Sequence, residues 1–305
     1  MVKLEVAQQQ AAPIWKIALA LGAIYLIWGS VYLAVRVAVH FWPPFLLVGI
    51  RYFVAGLILV GWAHVRKLPW PADRRQWRNA VVVGLFMVTG ANGGVTWGVQ
   101  HVESGLSAVL IATVPLWLIV LEALRPGGDR PHPTALIGLG VGLCGVWLLV
   151  RPNVGAPENF QVLLGQGALL SAALLWAIGS IYSRQFPMPG SFVVGAAIQM
   201  LSGGGVLILV GLLQGEVARF PLYVKWGPVM AFLYMVFFGS ILAYSTYQWL
   251  IRSTRPALVA TYAYVNPVVA VLIGVGLAGE TLTPMILAGS ALVIAAAFLI
   301  QRVRG

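Results

Sequence analysis

The chain has 305 residues, of which 60% are hydrophobic and 9% are charged. Because a soluble domain carries about 25% charged residues, this composition excludes a water-soluble globular protein. The net charge of +11 is typical of a membrane protein with basic loops, so we expect no nucleic-acid partner. The single cysteine, Cys144, lies within an apolar run and excludes a disulfide framework inside one chain.

The chain begins with a polar segment and continues as a series of long apolar runs. Residues 1–13 have no apolar core, so we interpret them as a cytoplasmic N-terminal tail and not as a cleavable signal. A membrane-spanning helix needs about 20 mainly apolar residues, and turn or charge signals separate runs of this length. We therefore predict an all-α polytopic membrane protein with ten transmembrane helices. The predicted spans are 14–35, 44–64, 79–99, 104–124, 134–150, 162–183, 190–213, 227–250, 256–278 and 283–300.

The lysines and arginines of the predicted loops are unevenly distributed. With both termini inside, 14 of the 19 basic residues lie on the cytoplasmic side, 4 lie outside, and Arg51 lies within the second span. Cytoplasmic loops of membrane proteins carry the excess of positive charge. We therefore predict that both termini face the cytoplasm.

The second half of the chain repeats landmarks of the first half. Several residues recur after 148 positions, and the offset grows to 151 or 152 further along, as loop insertions between equivalent helices would produce. The residues and their later copies are Trp28 and Trp176, Arg36 and Arg184, Gly56 and Gly204, Pro115 and Pro267, Asp129 and Glu280, Pro133 and Pro284, Gly138 and Gly289, and Arg151 and Arg302.

Each half holds five predicted spans, an odd number, so the two halves must cross the membrane in opposite directions. Inverted repeats of this kind are a recurrent build of secondary transporters, in which the solute site lies near the midplane between the halves. The alternative is a structural membrane protein that arose by duplication and transports nothing.

Several short motifs accompany the repeat. Trp28-Gly29-Ser30 follows an apolar run, a proline precedes the second helix, and Arg51-Tyr52-Phe53 lies within that helix. With the prolines of span four and span nine, and the acidic residue before each last helix, these motifs resemble the EamA module. Two such modules, which we predict over 14–151 and 162–302, resemble the drug/metabolite transporter superfamily. Gln199 replaces the arginine in the second copy, so an ion-pairing role at that position is not shared by both halves.

Within that superfamily, the aromatic content of the chain is most similar to the YddG-type aromatic amino-acid exporters. This resemblance implies a carrier in the cell inner membrane whose partners are a small-molecule substrate and the lipid bilayer. It implies no cofactor, no metal and no enzymatic activity. The oligomeric state stays open, and a monomer is compatible with everything in the sequence.

Polar and aromatic side chains inside the predicted spans are the candidates for a solute cavity. Span three carries a polar stripe at helical spacing from Thr89 to Gln100, which must face protein or water because hydrogen-bonding groups are costly in hydrocarbon. Aromatic faces deep in spans one, eight and nine suit a flat, partly apolar solute. Helix packing and the interfacial aromatic belt are the alternatives. The predicted cavity-lining residues are Trp28, Tyr32, Asn92, Thr96, Trp97, Gln100, Trp176, Tyr244, Gln248, Tyr262 and Asn266.

Pro115 and Pro267 occupy equivalent places in the middle of predicted spans four and nine. A proline inside a helix removes one backbone hydrogen bond and kinks the helix. We therefore predict two hinges that bend during alternating access, with a static kink as the alternative.

The positions of charged residues within the predicted spans indicate how transport is driven. None of the eight acidic residues is predicted at the bilayer centre, where a proton-coupled antiporter would keep one, and we interpret Glu122 as an interfacial partner of Arg125. We therefore predict gradient-driven uniport without obligatory proton exchange. Arg51 is the main buried charge, and we favour pairing with carbonyls or snorkelling over contact with the solute.

These observations predict a secondary transporter that moves small organic solutes by alternating access and exports aromatic and other neutral amino acids. A carrier of drugs or other metabolites, with or without proton coupling, is the first alternative. An intramembrane enzyme would need a buried acid, a set of metal ligands or an activated serine, and the sequence offers no such set.

Overall fold

In the computed structural model, helices form at the apolar runs and end near prolines, glycines and charged residues. The structure describes residues 13–124, 133–150, 160–220, 225–254, 259, 261–278 and 283–302. Every regular element in these ranges is helical, which confirms the all-α prediction. Most of the predicted N-terminal tail and the loop that holds Asp129 lie outside the described residues.

The helices of the first half are α1 (Ile14–Val39), α2 (Pro44–Val65), α3 (Arg74–Gly98), α4 (Ser104–Ile111), α5 (Val114–Leu124) and α6 (Pro133–Val150). Helix α2 starts with a proline directly after Pro43, because the first N–H of a helix has no intrahelical partner to lose. At the start of α3 the Asp73 carboxylate accepts the backbone N–H of Arg75 at 2.8 Å and caps the helix.

The helices of the second half are α7 (Phe160–Gln185), α8 (Phe192–Leu213), α9 (Trp226–Ile251), α10 (Tyr262–Ala278) and α11 (Pro284–Arg302). Ser191 caps α8 by accepting the backbone N–H of Val194. Six of the helices, α1, α2, α3, α7, α8 and α9, are long and apolar enough to cross a membrane. They confirm a polytopic membrane protein, whereas the count of ten crossings and the orientation of the termini stay predictions.

The predicted fourth span consists of two helical segments. Helix α4 ends at Ile111 and α5 begins at Val114, so Pro115 lies in the first turn of a new helix. The break falls directly before Pro115, because a proline has no N–H to donate to the carbonyl oxygen one turn earlier. Pro267 does lie inside α10. Bending at either proline during transport stays a prediction.

Helices α3 and α9 occupy the same place in the two halves, and each contains a wide π-helical stretch. The stretches are Leu85–Asn92 and Met235–Tyr244. The Asn92 amide nitrogen donates to the carbonyl oxygen of Met87 at 2.7 Å, five residues earlier. Because π turns are rare, their presence at equivalent places shows that the two halves share irregular as well as regular backbone structure. Such turns often lie at functional sites.

The helices of the two halves pack in matching pairs. Helix α2 packs on α8 and α6 packs on α11, so these helices meet their own counterparts. Helix α1 packs on α9 and α10, just as α7 packs on α3 and on α4 and α5. This pseudo-two-fold arrangement shows that the two halves repeat one fold, and their inversion across the membrane stays a prediction.

A close crossing of α2 and α8 joins the halves. A Cβ atom added to Gly49 would lie 2.7 Å from the backbone nitrogen of Ile208, and one added to Gly204 would lie 2.8 Å from that of Phe53. Small residues let membrane helices approach this closely.

Short connections join α1 to α2, α2 to α3, α3 to α4 and α7 to α8, so each of these helices runs opposite to the one before it and the helix ends fall on two sides of the bundle. Helices α4 and α5 together make up one predicted span. We call the side on which α1 begins the tail side and the opposite side the far side. In the predicted orientation the tail side is cytoplasmic.

Candidate functional site

A central cavity lies between the two halves. Its water-accessible volume is about 70 Å³, and its walls are formed by α1, α2, α3, α4, α7 and α10. Arg51 and Val95 place it toward the far side, because each lies in the far-side part of its helix. Trp28 and Ala172 lie near the middle of their helices and form its inner end.

Both repeats contribute predicted residues to this cavity. Six of the eleven predicted residues line it, namely Trp28, Tyr32, Asn92, Trp176, Tyr262 and Asn266. The Asn92 Oδ1 atom accepts the Tyr52 hydroxyl at 2.8 Å, which fixes the amide against the wall. The Trp28 indole donates to the carbonyl oxygen of Gly239 at 3.4 Å. Contact of these side chains with a solute stays a prediction.

Three predicted residues near the far-side end of α3 are not part of the cavity wall. The Thr96 hydroxyl is buried and donates to the carbonyl oxygen of Asn92 at 2.8 Å. The Gln100 amide donates to the carbonyl oxygen of Trp97 at 3.3 Å, and the Trp97 ring packs on His101 with centroids 4.9 Å apart. Each of these side chains contacts a residue three or four positions away along the chain, which favours the helix-packing alternative for the stripe.

Two predicted residues of α9 are sealed in the core. The Tyr244 hydroxyl donates to Gln199 Oε1 at 2.7 Å, and both side chains are fully buried. The Gln248 Nε2 atom lies 4.0 Å from the sulfur of Met87, and its Oε1 has no partner among the described residues. Tyr244 and Gln248 line neither of the two cavities in this structure, and their contact with a solute stays a prediction.

The cavity also contains residues that sequence reasoning did not place there. Arg51 and Tyr52 line its far-side part, and the remaining wall consists of small and branched aliphatic side chains. A charge within a membrane span was the available signal for Arg51.

Four aromatic rings close the cavity toward the tail side, and we call them the aromatic layer: Trp28, Trp176, Tyr247 and Tyr262. The Trp28 ring contacts the other three, with centroid distances of 5.4, 5.3 and 5.2 Å. The T-shaped and tilted contacts within the layer are the favourable arrangements for aromatic pairs.

A second cavity, with a water-accessible volume of about 40 Å³, lies on the tail side of the aromatic layer. Pro115, Ser180 and Arg184 line it, and Tyr262 belongs to the walls of both cavities. The aromatic layer therefore separates two spaces that lie along one path through the bundle.

Hydrogen bonds between the two halves and within the second half hold the tail side together. The Tyr25 hydroxyl on α1 bonds the Thr261 hydroxyl at the start of α10. The hydroxyls of Ser180 and Tyr247 lie 2.9 Å apart. Helices of both repeats are thus tied next to the second cavity.

Two of the described acidic side chains, Asp73 and Glu216, bond to helix starts. Glu216 is buried, and its carboxylate accepts the backbone N–H groups of Phe45 and Leu46 at the start of α2. This placement satisfies two N–H groups and complements the helix dipole. Within the described ranges, no three His, Cys, Asp or Glu side chains gather as a metal site would require.

Comparison with known proteins agrees with this architecture. The sequence profile of the EamA-like transporter family matches residues 14–151 and 163–302. The protein named "Uncharacterized inner membrane transporter YedA" of Escherichia coli (strain K12) is 38% identical over 267 residues, which cover 87% of this chain and 83% of that protein. The "Probable amino-acid metabolite efflux pump" of Salmonella typhimurium is 24% identical over 287 residues, covering 90% of this chain and 91% of that protein.

A solved crystal structure with 20% sequence identity superposes with a TM-score of 0.64, covering 95% of this chain and 99% of that chain, which shows the shared fold. The family profile matches both halves, and the YedA alignment spans most of both sequences. The chain therefore belongs to the EamA-like transporter family of the drug/metabolite transporter superfamily and is a membrane transporter, not an enzyme.

Proposed function

We propose that the chain carries small organic solutes by alternating access through the central cavity, and that it exports aromatic and other neutral amino acids. The observation that carries this proposal is a cavity walled by both repeats, where aromatic rings alternate with an amide and a guanidinium. Such a wall suits a flat, partly apolar solute with a polar group. The name of the Salmonella relative, an amino-acid metabolite efflux pump, supports the same class of cargo.

The two cavities support alternating access in particular. In inverted-repeat carriers, the halves rock around a fixed site near the midplane. The aromatic layer lies between a far-side and a tail-side cavity, so its opening would pass a solute from one to the other. In this view the structure represents a state closed at the layer.

The direct test is flux of radiolabelled phenylalanine into proteoliposomes that hold the purified protein. We expect uptake down a phenylalanine gradient at a rate well above that of protein-free vesicles. Asn92→Leu should lower the flux without loss of folded protein, because it removes the hydrogen bonds of an amide in the wall. Wild-type vesicles that stay as impermeable as empty ones would reject this cargo.

We also propose that movement is gradient-driven and not obligatorily coupled to protons. Among the described residues, no Asp or Glu lines either cavity. The test imposes a pH gradient across proteoliposomes without a solute gradient. Uphill accumulation would refute uniport, and its loss in Glu122→Gln would identify the coupling group.

The orientation belongs to the same proposal, with both termini in the cytoplasm of a cell whose inner membrane holds the protein. Single cysteines at Lys3 and Arg304, in a Cys144→Ala background, should resist a membrane-impermeant thiol reagent in intact cells and react after lysis. Labelling of either terminus from outside would reverse the topology.

A further inference from the structure

Arg51 is a buried charge that the transport scheme above does not use. Its side chain is 2% exposed, lines the central cavity and lies in the far-side half of α2. A charged side chain inside a membrane protein is costly unless it is paired, and it marks a functional site by default. The partner of Arg51 therefore decides what the cavity binds.

The protein satisfies only part of the Arg51 guanidinium. Its Nε atom donates to Ser240 Oγ at 2.8 Å, and its Cζ atom lies 4.8 Å from the centre of the Tyr52 ring. Within the described residues, no carboxylate forms an ion pair with it. A Cβ atom added to Gly239 would lie 2.8 Å from Nη2, so a larger residue there would crowd the guanidinium. The two terminal amino groups remain available to a ligand.

The charge of the wall is unbalanced over the described residues. Asp73 and Glu216 cap helices, Glu103 precedes α4, and none of the three lines the cavity. Arg51 therefore gives this wall a single positive charge. A carboxylate on the solute would neutralise that charge, whereas a purely cationic solute would be repelled.

The rest of the wall suits an apolar and aromatic body. Trp28, Tyr32, Trp176 and Tyr262 present their rings to the cavity. The Trp28 indole donates to the carbonyl oxygen of Gly239, the residue beside Nη2, so ring and guanidinium are neighbours. A guanidinium binds a carboxylate through two parallel hydrogen bonds, which orients the carboxylate as well as attracting it.

We propose that Arg51 binds the carboxylate of the solute, and that the cavity accepts amphipathic carboxylates with an aromatic body whether or not they carry an amino group. This inference rests on the proposed function and narrows its cargo. The carboxylate is required because Arg51 needs a partner. The ammonium group is dispensable because no described acidic side chain of the wall could bind it.

Three analogues test the inference without any substitution. Phenylalanine, 3-phenylpropionate and 2-phenylethylamine share the ring and the two-carbon link and differ only in their charged groups. Calorimetric titration of the purified full chain at pH 7 should show that 3-phenylpropionate binds at least as tightly as phenylalanine. The amine should bind at least about tenfold more weakly, since it cannot form the charge-assisted hydrogen bonds.

Variants then assign the effect to Arg51. Arg51→Gln should weaken the binding of both carboxylates by about tenfold or more. Arg51→Lys should recover part of the affinity, because it restores the positive charge but not the two parallel hydrogen bonds of a guanidinium. Arg66→Gln is the matched control, since Arg66 follows the same helix, is exposed and stacks on Trp62. It should leave all three titrations unchanged.

The outcomes separate this inference from the proposed function. If the amine binds as tightly as the carboxylates, or a folded Arg51→Gln binds them as the wild type does, Arg51 is not the anchor while an aromatic cargo stands. If the wild type binds none of the three, the cargo and the anchor fail together. The analogue series decides the matter even if Arg51→Gln does not fold.

Discussion

Arg51 and Gln199 lie 148 residues apart at the same place in the two repeats, yet their surroundings differ. Arg51 reaches an open cavity and shares its charge only with Ser240 and the Tyr52 ring. Gln199 is fully buried; its oxygen accepts the Tyr244 hydroxyl, and its Nε2 has no partner among the described residues. One repeat thus presents a polar group to the central cavity, while the other encloses its counterpart in the core.

This difference shows that the two repeats have different local conformations in one structure, one open to a cavity and one closed. The two halves have matching helix pairs, so each half can adopt the conformation that the other half has in this structure. Here the Arg51 region is open and the Gln199 region is closed. We expect the closed region to loosen when the aromatic layer opens toward the tail side. The Nε2 atom of Gln199 would then become accessible to water.

The largest expected effect comes from making the two positions alike. Gln199→Arg would place a charge without a partner in the closed core, at an expected loss of about 3–5 kcal/mol of stability. Arg51→Gln removes a costly charge from a cavity and should leave stability unchanged or higher. Thermal unfolding of the two variants in detergent measures the contrast. An equal loss of stability in both variants would show that the surroundings of Arg51 and Gln199 do not differ as described.

The crossing of α2 and α8 holds both positions, and its glycines offer the next test. Gly204→Ala would place a Cβ atom 2.8 Å from the backbone nitrogen of Phe53, so the helices must separate, at about 1–3 kcal/mol. Gly61→Ala on α2 is the control, because nothing lies within 4 Å of its added Cβ. Unfolding temperatures should fall for the first variant only, and a fall for Gly61→Ala alone would contradict the crossing.

A smaller effect distinguishes two equivalent hydrogen bonds. Asn92 and Tyr244 lie 152 residues apart, as Pro115 and Pro267 do, and each joins its helix to the second helix of its own half. Tyr244→Phe leaves Gln199 without its donor in a sealed core and should cost about 1–2 kcal/mol. Tyr52→Phe should cost less, because water in the cavity can replace the lost donor at Asn92. The same unfolding assay ranks the two, and the reverse order would contradict the assignment of open and closed regions.

Much of this architecture is predictable from the sequence. Composition indicates a membrane protein, the length of the apolar runs indicates helices, and the internal repeat indicates two related halves. Helix α2 was expected over 44–64 and is found over Pro44–Val65. The deep rings of Trp28 and Tyr262 were assigned to a cavity because the membrane interface could not explain them.

The faces of α3 and α9 were harder to predict. A regular helix turns about 100° per residue, so the extra residue of a π turn rotates all later side chains by about that angle. Asn92, at the end of the first π stretch, lines the cavity, while Thr96 does not. Tyr244 and Gln248, at and beyond the end of the second stretch, are buried in the core. Since Asn92 and Tyr244 are equivalent positions, the π turns do not explain this difference, which reflects the open surroundings of one and the closed surroundings of the other. No local sequence signal announces a π turn.

The central claim is that solute crosses by opening the tail side behind the aromatic layer. Tyr25 and Thr261 are joined there, so a Tyr25→Cys and Thr261→Cys pair in a Cys144→Ala background can be cross-linked with a short bis-methanethiosulfonate, which forms a disulfide with each cysteine and releases methanesulfinate. We predict that the cross-linked protein still binds phenylalanine but loses its flux in proteoliposomes, and that each single-cysteine variant keeps flux after the same treatment. Full flux through protein shown by gel to be completely cross-linked would contradict the account.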